Sequence, residues 1–259
     1  MNGFVYSKAT SPRDAVRSHG KSTKAKYLAG GQTLLPAIKQ LLDAPERLID
    51  LSGAGLEGID VGRKTITIGA MTRHADVAAS EQVREAIPGL ADLAAQIGDA
   101  QVRNRGTIGG SVANSDPAAD YPAALLALSA IVHTNARKIL AERFFLGLFK
   151  NALKSGELIT KIEFQIPTTS AYEKFPNPAS RYAIVGVFAA NFDQSTRIGV
   201  TGAAHSAFRW MEAEDHGRGI KNLSNVGLDQ STFNNDIYAS ATYRAHLLRV
   251  LTLRALGRL

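Results

Sequence analysis

The chain has 259 residues, 45% of them hydrophobic and 20% charged, with a formal net charge of +7 and no cysteine. That is enough chain for two or three lobes. It excludes disulfides, thiolate zinc sites, a cysteine nucleophile and iron–sulfur clusters ligated by this chain.

The first segment is predicted as strand, helix, strand, helix, strand. FVYSKA is β-like. SPRDAVRSHG carries Ser-Pro at its start, Asp14 in its first turn and Gly20 at its end, which is helix punctuation. AKYLAGG is a strand running into a glycine turn, TLLPAIKQLLD has helical apolar spacing, and RLIDLS is a third strand. GAGLEG (Gly53–Gly58) then matches G-x-G-x-x-G, with Asp76 near the expected downstream distance. IDVGRKTITIGA follows it, however, and is β-branched and hairpin-like. No helix opens there to hold a pyrophosphate, so a turn between strands is expected.

MTRHADVAASEQVREAIPGLADLAAQIG predicts two helices broken at Pro88–Gly89, with Thr72 as N-cap. AALLALSAIVHT predicts a helix or a helix passing into a strand. RKILAERFFLGLFKNALKSGELITKIEFQIP predicts a helix, a Ser-Gly break and a strand. TTSAYEKFPNPASR resembles a lobe boundary. YAIVGVFAANF and RIGVTGAAHSAFRWMEAE predict two strands and a helix start. Residues 215–235 predict mostly loop, and DIYASATYRAHLLRVLTLRAL an amphipathic helix.

No apolar run approaches the ~18–20 residues of a membrane helix. The N-terminal stretch lacks the basic start and apolar core of a signal peptide, so a cytoplasmic location is the expectation. The six histidines (His19, His74, His133, His205, His216 and His246) are scattered and form no HExxH pair, so no metal site is expected. The basic excess fits solubility, a phosphate-bearing ligand or, less well, nucleic acid.

Two glycine turns are candidate anion cradles. In LAGGQTLLP (Leu28–Pro36), Gly30 and Gly31 let backbone N–H groups converge without a Cβ in the way, and Thr33 offers a hydroxyl or a helix cap. An ordinary capped strand-to-helix turn is the alternative. GTIGGSVANSDP offers Gly106, Gly109 and Gly110 with Thr107 and Ser111 as hydroxyls. Asp120, just before Tyr121-Pro122, would either cap the next helix or accept hydrogen bonds from a ribose. Two such turns on one chain suit a ligand with two phosphates and a ribose.

AGGQTLLP, ITIGAMTRHADV, NRGTIGGSVANSDPAADYPAALLAL, ARKILAERFFLGLFKNALKSGELITKIEFQIP and SATYRAHLLRVLTLRAL, in this order, resemble the FAD-binding medium subunit of the xanthine dehydrogenase and carbon monoxide dehydrogenase family of molybdenum hydroxylases. The resemblance implies an α+β chain: a two-lobed FAD-binding fold of the vanillyl-alcohol oxidase and p-cresol methylhydroxylase type, plus a C-terminal α+β lobe with an antiparallel sheet. The expected lobes are 1–56, 57–168 and 169–259. It implies FAD as cofactor, with Ala29, Gly30, Gly31, Gln32, Thr33 and Leu34 wrapping the pyrophosphate and Thr107, Ile108, Gly109, Gly110 and Ser111 meeting it from the second lobe. Asp120 falls at the adenosine end, Leu158 and Lys174 near the isoalloxazine ring, and Lys26, Ala70, Thr72, Ala113 and Asn114 are weaker carry-overs. No catalytic residue and no metal ligand is implied. The implied partners are a large molybdopterin-binding subunit and a small subunit with two 2Fe–2S clusters, arranged as a dimer of heterotrimers, without nucleic acid or a membrane span. The implied role is electron transfer. A free-standing FAD-dependent oxidoreductase and a basic nucleic-acid-binding protein are the alternatives.

Overall fold

The computed structural model describes residues 3–193, 195–217 and 220–259. The chain opens with β1 (Val5–Lys8), α1 (Pro12–His19), β2 (Ala25–Leu28), α2 (Leu34–Lys39) and β3 (Arg47–Asp50). Ser11 Oγ accepts from the Asp14 N–H at 3.2 Å and Pro12 starts α1, so the sequence punctuation sets where that helix begins. The three strands pair all-parallel in the order β1-β3-β2. Parallel neighbours need crossovers, which α1 and α2 supply. No helix follows GAGLEG: the chain turns through Gly55 and Gly58, both at positive φ, into a strand, as expected.

That strand, β4 (Ile59–Val61), and β5 (Thr65–Gly69) begin a second sheet. Six helices intervene: α3 (His74–Ala79), α4 (Glu81–Ala86), α5 (Pro88–Ala95), α6 (Ala100–Arg103), α7 (Ile108–Asn114) and α8 (Tyr121–Ala127). Then come β6 (Ile131–Thr134), β7 (Lys138–Leu140), the hairpin β8 (Phe145–Gly147) and β9 (Lys150–Asn151), and β10 (Ile159–Gln165). The sheet is antiparallel, in the order β4-β5-β10-β6-β7. Its period-2 pattern buries Ile66 and Ile68 of β5 and Ile162 and Phe164 of β10 against Leu90 and Leu93 of α5 and Leu125 of α8.

The third sheet, also antiparallel, runs β11 (Thr169–Pro176), β12 (Ala183–Phe192), β13 (Ser195–Thr201), β14 (Phe208–Arg209). Helices α9 (Met211–Glu214) and α10 (Ala241–Leu256) follow. All but the last residue of β12 is buried, because α10 packs with Leu248, Leu251 and Ala255 on one part of the sheet and α8 on another. An alanine methyl at Gly199 would lie 2.0 Å from the Ala123 carbonyl oxygen, so α8 rests directly on the β13 backbone.

Two expectations are corrected. Residues 138–151 form no α-helix but a strand, a 3-10 turn and a hairpin. Their apolar spacing is helical, yet Leu140, Leu146, Leu148 and Phe149 are exposed while Ile139, Ala141 and Phe144 are buried, so the apolar residues do not share one buried helical stripe. Within the expected boundary segment, residues 169–176 form β11, the first strand of the third sheet, whose polar side chains find partners far along the chain. Residues 74–95 form three helices rather than two, with an additional break at Ser80, whose side chain caps α4. Residues 220–235 are loop with one 3-10 turn at Gln230–Thr232.

Candidate functional site

Between β2 and α2 the chain turns through Ala29–Thr33. Gly31 has φ 74°, a left-handed conformation that favours glycine. Among the described residues, no protein group accepts from the N–H groups of Gly30, Gly31, Gln32, Thr33 or Leu34. Consecutive unengaged amides at a turn form an anion-binding concavity. Thr33 makes no side-chain cap to α2, and both it and Tyr182 line the same cavity.

The second turn is built differently. Residues 70–74 and 106–109 run antiparallel. Gly109 N–H donates to the Ala70 carbonyl (2.9 Å), Ile108 N–H to Thr72 (3.1 Å) and His74 N–H to Gly106 (3.0 Å). Gly110 N–H donates to Thr107 Oγ1 at 3.2 Å and Ser111 N–H to the Thr107 carbonyl at 3.0 Å. The amides of 108–111 are therefore spent within the protein, and among the described residues this turn keeps one unengaged amide, that of Thr107, against five in the first. The glycines of the second turn serve close approach instead. A Cβ on Gly109 would lie 2.6 Å from Ala70 Cβ, and one on Gly30 would lie 2.1 Å from the Arg105 carbonyl oxygen. Gly30 thus lies flat on Arg105–Gly106, and the two turns touch.

They enclose a cavity of about 460 Å³, within the usual range for cofactor sites. It brings together Lys26, Ala29, Gly30, Gly31, Gln32, Thr33, Leu34, Ala70, Thr107, Gly109, Gly110, Ser111, Ala113, Asn114, Asp120 and Leu158. Three expected residues do not line it. Thr72 is turned away, its hydroxyl donating to the Gly58 carbonyl (3.1 Å) and accepting from the Gly58 N–H (3.0 Å). Ile108 is buried in the core of the second sheet. Lys174 stands behind the wall: its side chain is 2% exposed and its ammonium donates to Asp120 Oδ1 (2.8 Å), the Gln96 carbonyl (2.8 Å) and the Arg181 carbonyl (3.0 Å). Asp120 and Lys174, expected at opposite ends of the ligand, are in contact with each other.

Asp120 makes no side-chain cap to α8 either. Its Oδ1 accepts from the Tyr172 hydroxyl at 2.5 Å. Burial pushes the Asp120 carboxyl above its usual range, against the opposing pull of Lys174 and Tyr172. Burial, and then the neighbouring carboxylate, raises the Tyr172 hydroxyl well above its usual value.

The sequence did not single out several wall residues. Tyr27, on the strand that delivers the first turn, donates its hydroxyl to the Gly156 carbonyl at 2.8 Å, and burial raises it to about 12. Ser180, Arg181 and Tyr182, in the loop between β11 and β12, close one side. His74 heads α3 within AMTRHADV and is 4% exposed; burial, reinforced by Arg103, lowers its imidazole to about 4. The only local cue to these residues was adjacency to a turn already under suspicion.

This arrangement suits an anionic dinucleotide. Five free amides meet negative charge without a fixed cation, the glycines let backbone reach the ligand, and apolar Leu51, Met71 and Leu158 flank the polar end. No group of three His, Cys, Asp or Glu that would hold a metal occurs among the described residues.

Comparison with known proteins agrees. A family profile described as FAD binding domain in molybdopterin dehydrogenase matches residues 2–169. The glyceraldehyde dehydrogenase medium chain of Sulfolobus acidocaldarius is 31% identical, over 97% of this chain and 96% of its own length. The carbon monoxide dehydrogenase medium chain of Hydrogenophaga pseudoflava is 37% identical over 80% and 77%. A crystal structure of Cu,Mo-CO dehydrogenase in a cyanide-inactivated form has a chain that superposes with a TM-score of 0.88 at 30% identity, covering 100% of this chain and 98% of that one.

Proposed function

Since this chain belongs to the family of FAD-binding domains of molybdopterin dehydrogenases, we propose that it carries electrons between subunits of a molybdenum hydroxylase. It is an FAD-binding oxidoreductase subunit of the medium-chain type. In the proposed assembly, a small subunit with two iron–sulfur clusters delivers electrons to this chain, and a large molybdopterin-binding subunit oxidises the substrate. The flavin passes the electrons to an external acceptor, and the complex is a cytoplasmic dimer of heterotrimers. Names of relatives support a multi-subunit setting: they are medium chains, and one is subunit alpha of a 6-hydroxypseudooxynicotine dehydrogenase complex. With no cysteine in this chain, cluster ligands must come from a partner.

FAD supplies the redox chemistry when bound, exchanging electrons in ones or twos. The residues of this chain bind and orient it. The observation that carries the reading is the row of unengaged amides from Gly30 to Leu34 opening on a cavity whose far wall is the second glycine turn. The proposed roles are pyrophosphate binding by Ala29–Leu34, close packing by Gly109 and Gly110, side-chain donors from Ser111 and Asn114, and a wall formed by Lys26, Ala70, Thr107, Ala113, Asp120 and Leu158. Ile108, Thr72 and Lys174 act from behind that wall. The division into lobes 1–56, 57–168 and 169–259 belongs to the same proposal, and each lobe contributes wall residues.

The test is spectroscopic. The purified full chain, supplied with FAD, should show bound-flavin absorption near ~450 nm and co-purify with a cysteine-rich small subunit and a molybdopterin subunit. Flavin reduction should require those partners and their substrate. Turnover of a small substrate by this chain alone would instead favour the free-standing oxidoreductase. A colourless chain that takes up no FAD and binds oligonucleotides with steep salt dependence would favour the nucleic-acid reading.

A further inference from the structure

We propose that His74 is a further ligand of the dinucleotide, donating a hydrogen bond from Nε2 to an acceptor oxygen of the phosphate–ribityl chain where that chain crosses the second glycine turn. The inference rests on the FAD reading above.

Three observations carry it. First, the amides of 108–111 are spent on Ala70, Thr72 and Thr107, which leaves donation from this wall to the Thr107 N–H and to side chains. Second, His74 sits in that wall. Its backbone N–H holds the Gly106 carbonyl, and a Cβ on Gly106 would meet its Nε2 at 2.6 Å and Cδ2 at 2.7 Å, so the ring edge lies over Gly106 and the ring lines the cavity. Third, the ring has no protein partner among the described residues. Nδ1 is fully enclosed and unbonded, on a ring packed 5.4 Å from that of Tyr121. Nε2 also bonds no protein group, but it is not among the enclosed atoms.

A neutral imidazole has one N–H and one lone pair to place. An enclosed N–H with no acceptor is costly and rare, and an enclosed acceptor lone pair less so. The proton therefore belongs on Nε2, and the donor faces the cavity. Arg103 on α6, the charged group nearest in effect, opposes a second proton on the ring. Tyr121 on α8 offers a hydroxyl that is itself enclosed and unbonded. A neutral donor pointing at a site for an anionic ligand replaces, on this wall, the amides that the second turn has spent.

The experiment titrates the full-length chain with FAD, ADP and riboflavin, for wild type and for His74→Gln, His74→Asn and His74→Leu. A glutamine amide nitrogen reaches the place of Nε2, whereas an asparagine amide reaches that of Nδ1. His74→Gln should stay close to wild type. His74→Asn and His74→Leu should bind FAD more weakly, by about ten- to a hundredfold for a phosphate acceptor and by about three- to tenfold for a ribityl hydroxyl, with unchanged far-ultraviolet dichroism. A matching loss for ADP places the acceptor on the pyrophosphate, and a matching loss for riboflavin places it on the ribityl chain. Should the Asn or Leu chain fail to fold, the ¹⁵N histidine spectrum of wild type decides. The proposal requires a neutral Nε2–H tautomer whose Nε2 signal moves on adding FAD. Equal FAD affinity in all four proteins, a glutamine variant as weak as leucine, or an Nδ1–H tautomer indifferent to FAD would overturn it. A wild-type chain that binds no FAD would instead refute the functional reading.

Discussion

Gly30→Ala is the smallest perturbation that separates cofactor anchoring from folding. The added methyl would lie 2.1 Å from the Arg105 carbonyl oxygen and 2.7 Å from Gly106 Cα. The obstacle is backbone, not a flexible side chain, so the two turns must separate by at least about 1.3 Å to reach an ordinary contact distance. Overpacking of this kind costs about 1–3 kcal/mol, or a melting-temperature loss of roughly 2–12 °C in a chain of this size. The same displacement moves the unengaged amides of Gly30–Leu34 away from the opposite wall, so FAD affinity should fall at least about tenfold, the equivalent of ~1.4 kcal/mol. The control is Gly55→Ala in GAGLEG. Gly55 also has positive φ (69°) but nothing within 4 Å. It should lose only the roughly 1–2 kcal/mol of a left-handed alanine and keep wild-type flavin binding. FAD fluorescence titration with and without thermal unfolding reads both quantities. Wild-type FAD affinity in Gly30→Ala, or an equal loss in Gly55→Ala, would refute the role assigned to the contact between the turns.

The remaining predictions concern buried charge. Lys174→Met leaves Asp120 buried without its ammonium, and removing one partner of such a pair costs about 3–5 kcal/mol; the double variant with Asp120→Asn should be milder than the sum of the two single ones in urea unfolding. His74 is neutral in the fold, with its value lowered from 6.5 to about 4, on the order of 3 kcal/mol. The unfolded chain takes up that proton first as pH falls, so the contribution is full above about 6.5 and lost progressively toward about 4. His74→Gln should flatten the stability profile across that window, and an unchanged slope would show that the ring is not held neutral.

The parallel opening unit was legible because its signals are local: Ser11, Pro12 and Gly20 frame α1, and Gly31 marks the end of β2. The two glycine turns were legible as a pair, as was the failure of GAGLEG to open a helix. What escaped depends on distant partners. Lys174 looked like a flavin contact, because nothing near it in sequence reveals Asp120, Gln96 and Arg181 gathering around its ammonium. The division of labour between the turns was equally hidden. Both are glycine-rich, and only the hydrogen bonds of Ala70 and Thr72 show that one has already spent most of its amides. The hairpin at 145–151 was misread because periodic apolar spacing records a possible face, not whether anything covers it.

The segment matched by the family profile ends at residue 169, yet the loop carrying Ser180, Arg181 and Tyr182 completes the cavity and Lys174 fastens it from behind. On the proposed reading, anchoring and enclosure therefore lie on different stretches of chain. A chimera that keeps residues 1–168 and takes its C-terminal part from a relative would retain the dinucleotide's handhold while exchanging part of its surroundings. On the proposed reading, changes after residue 169 would retune the surroundings of the flavin while leaving the Gly30–Leu34 amides in place.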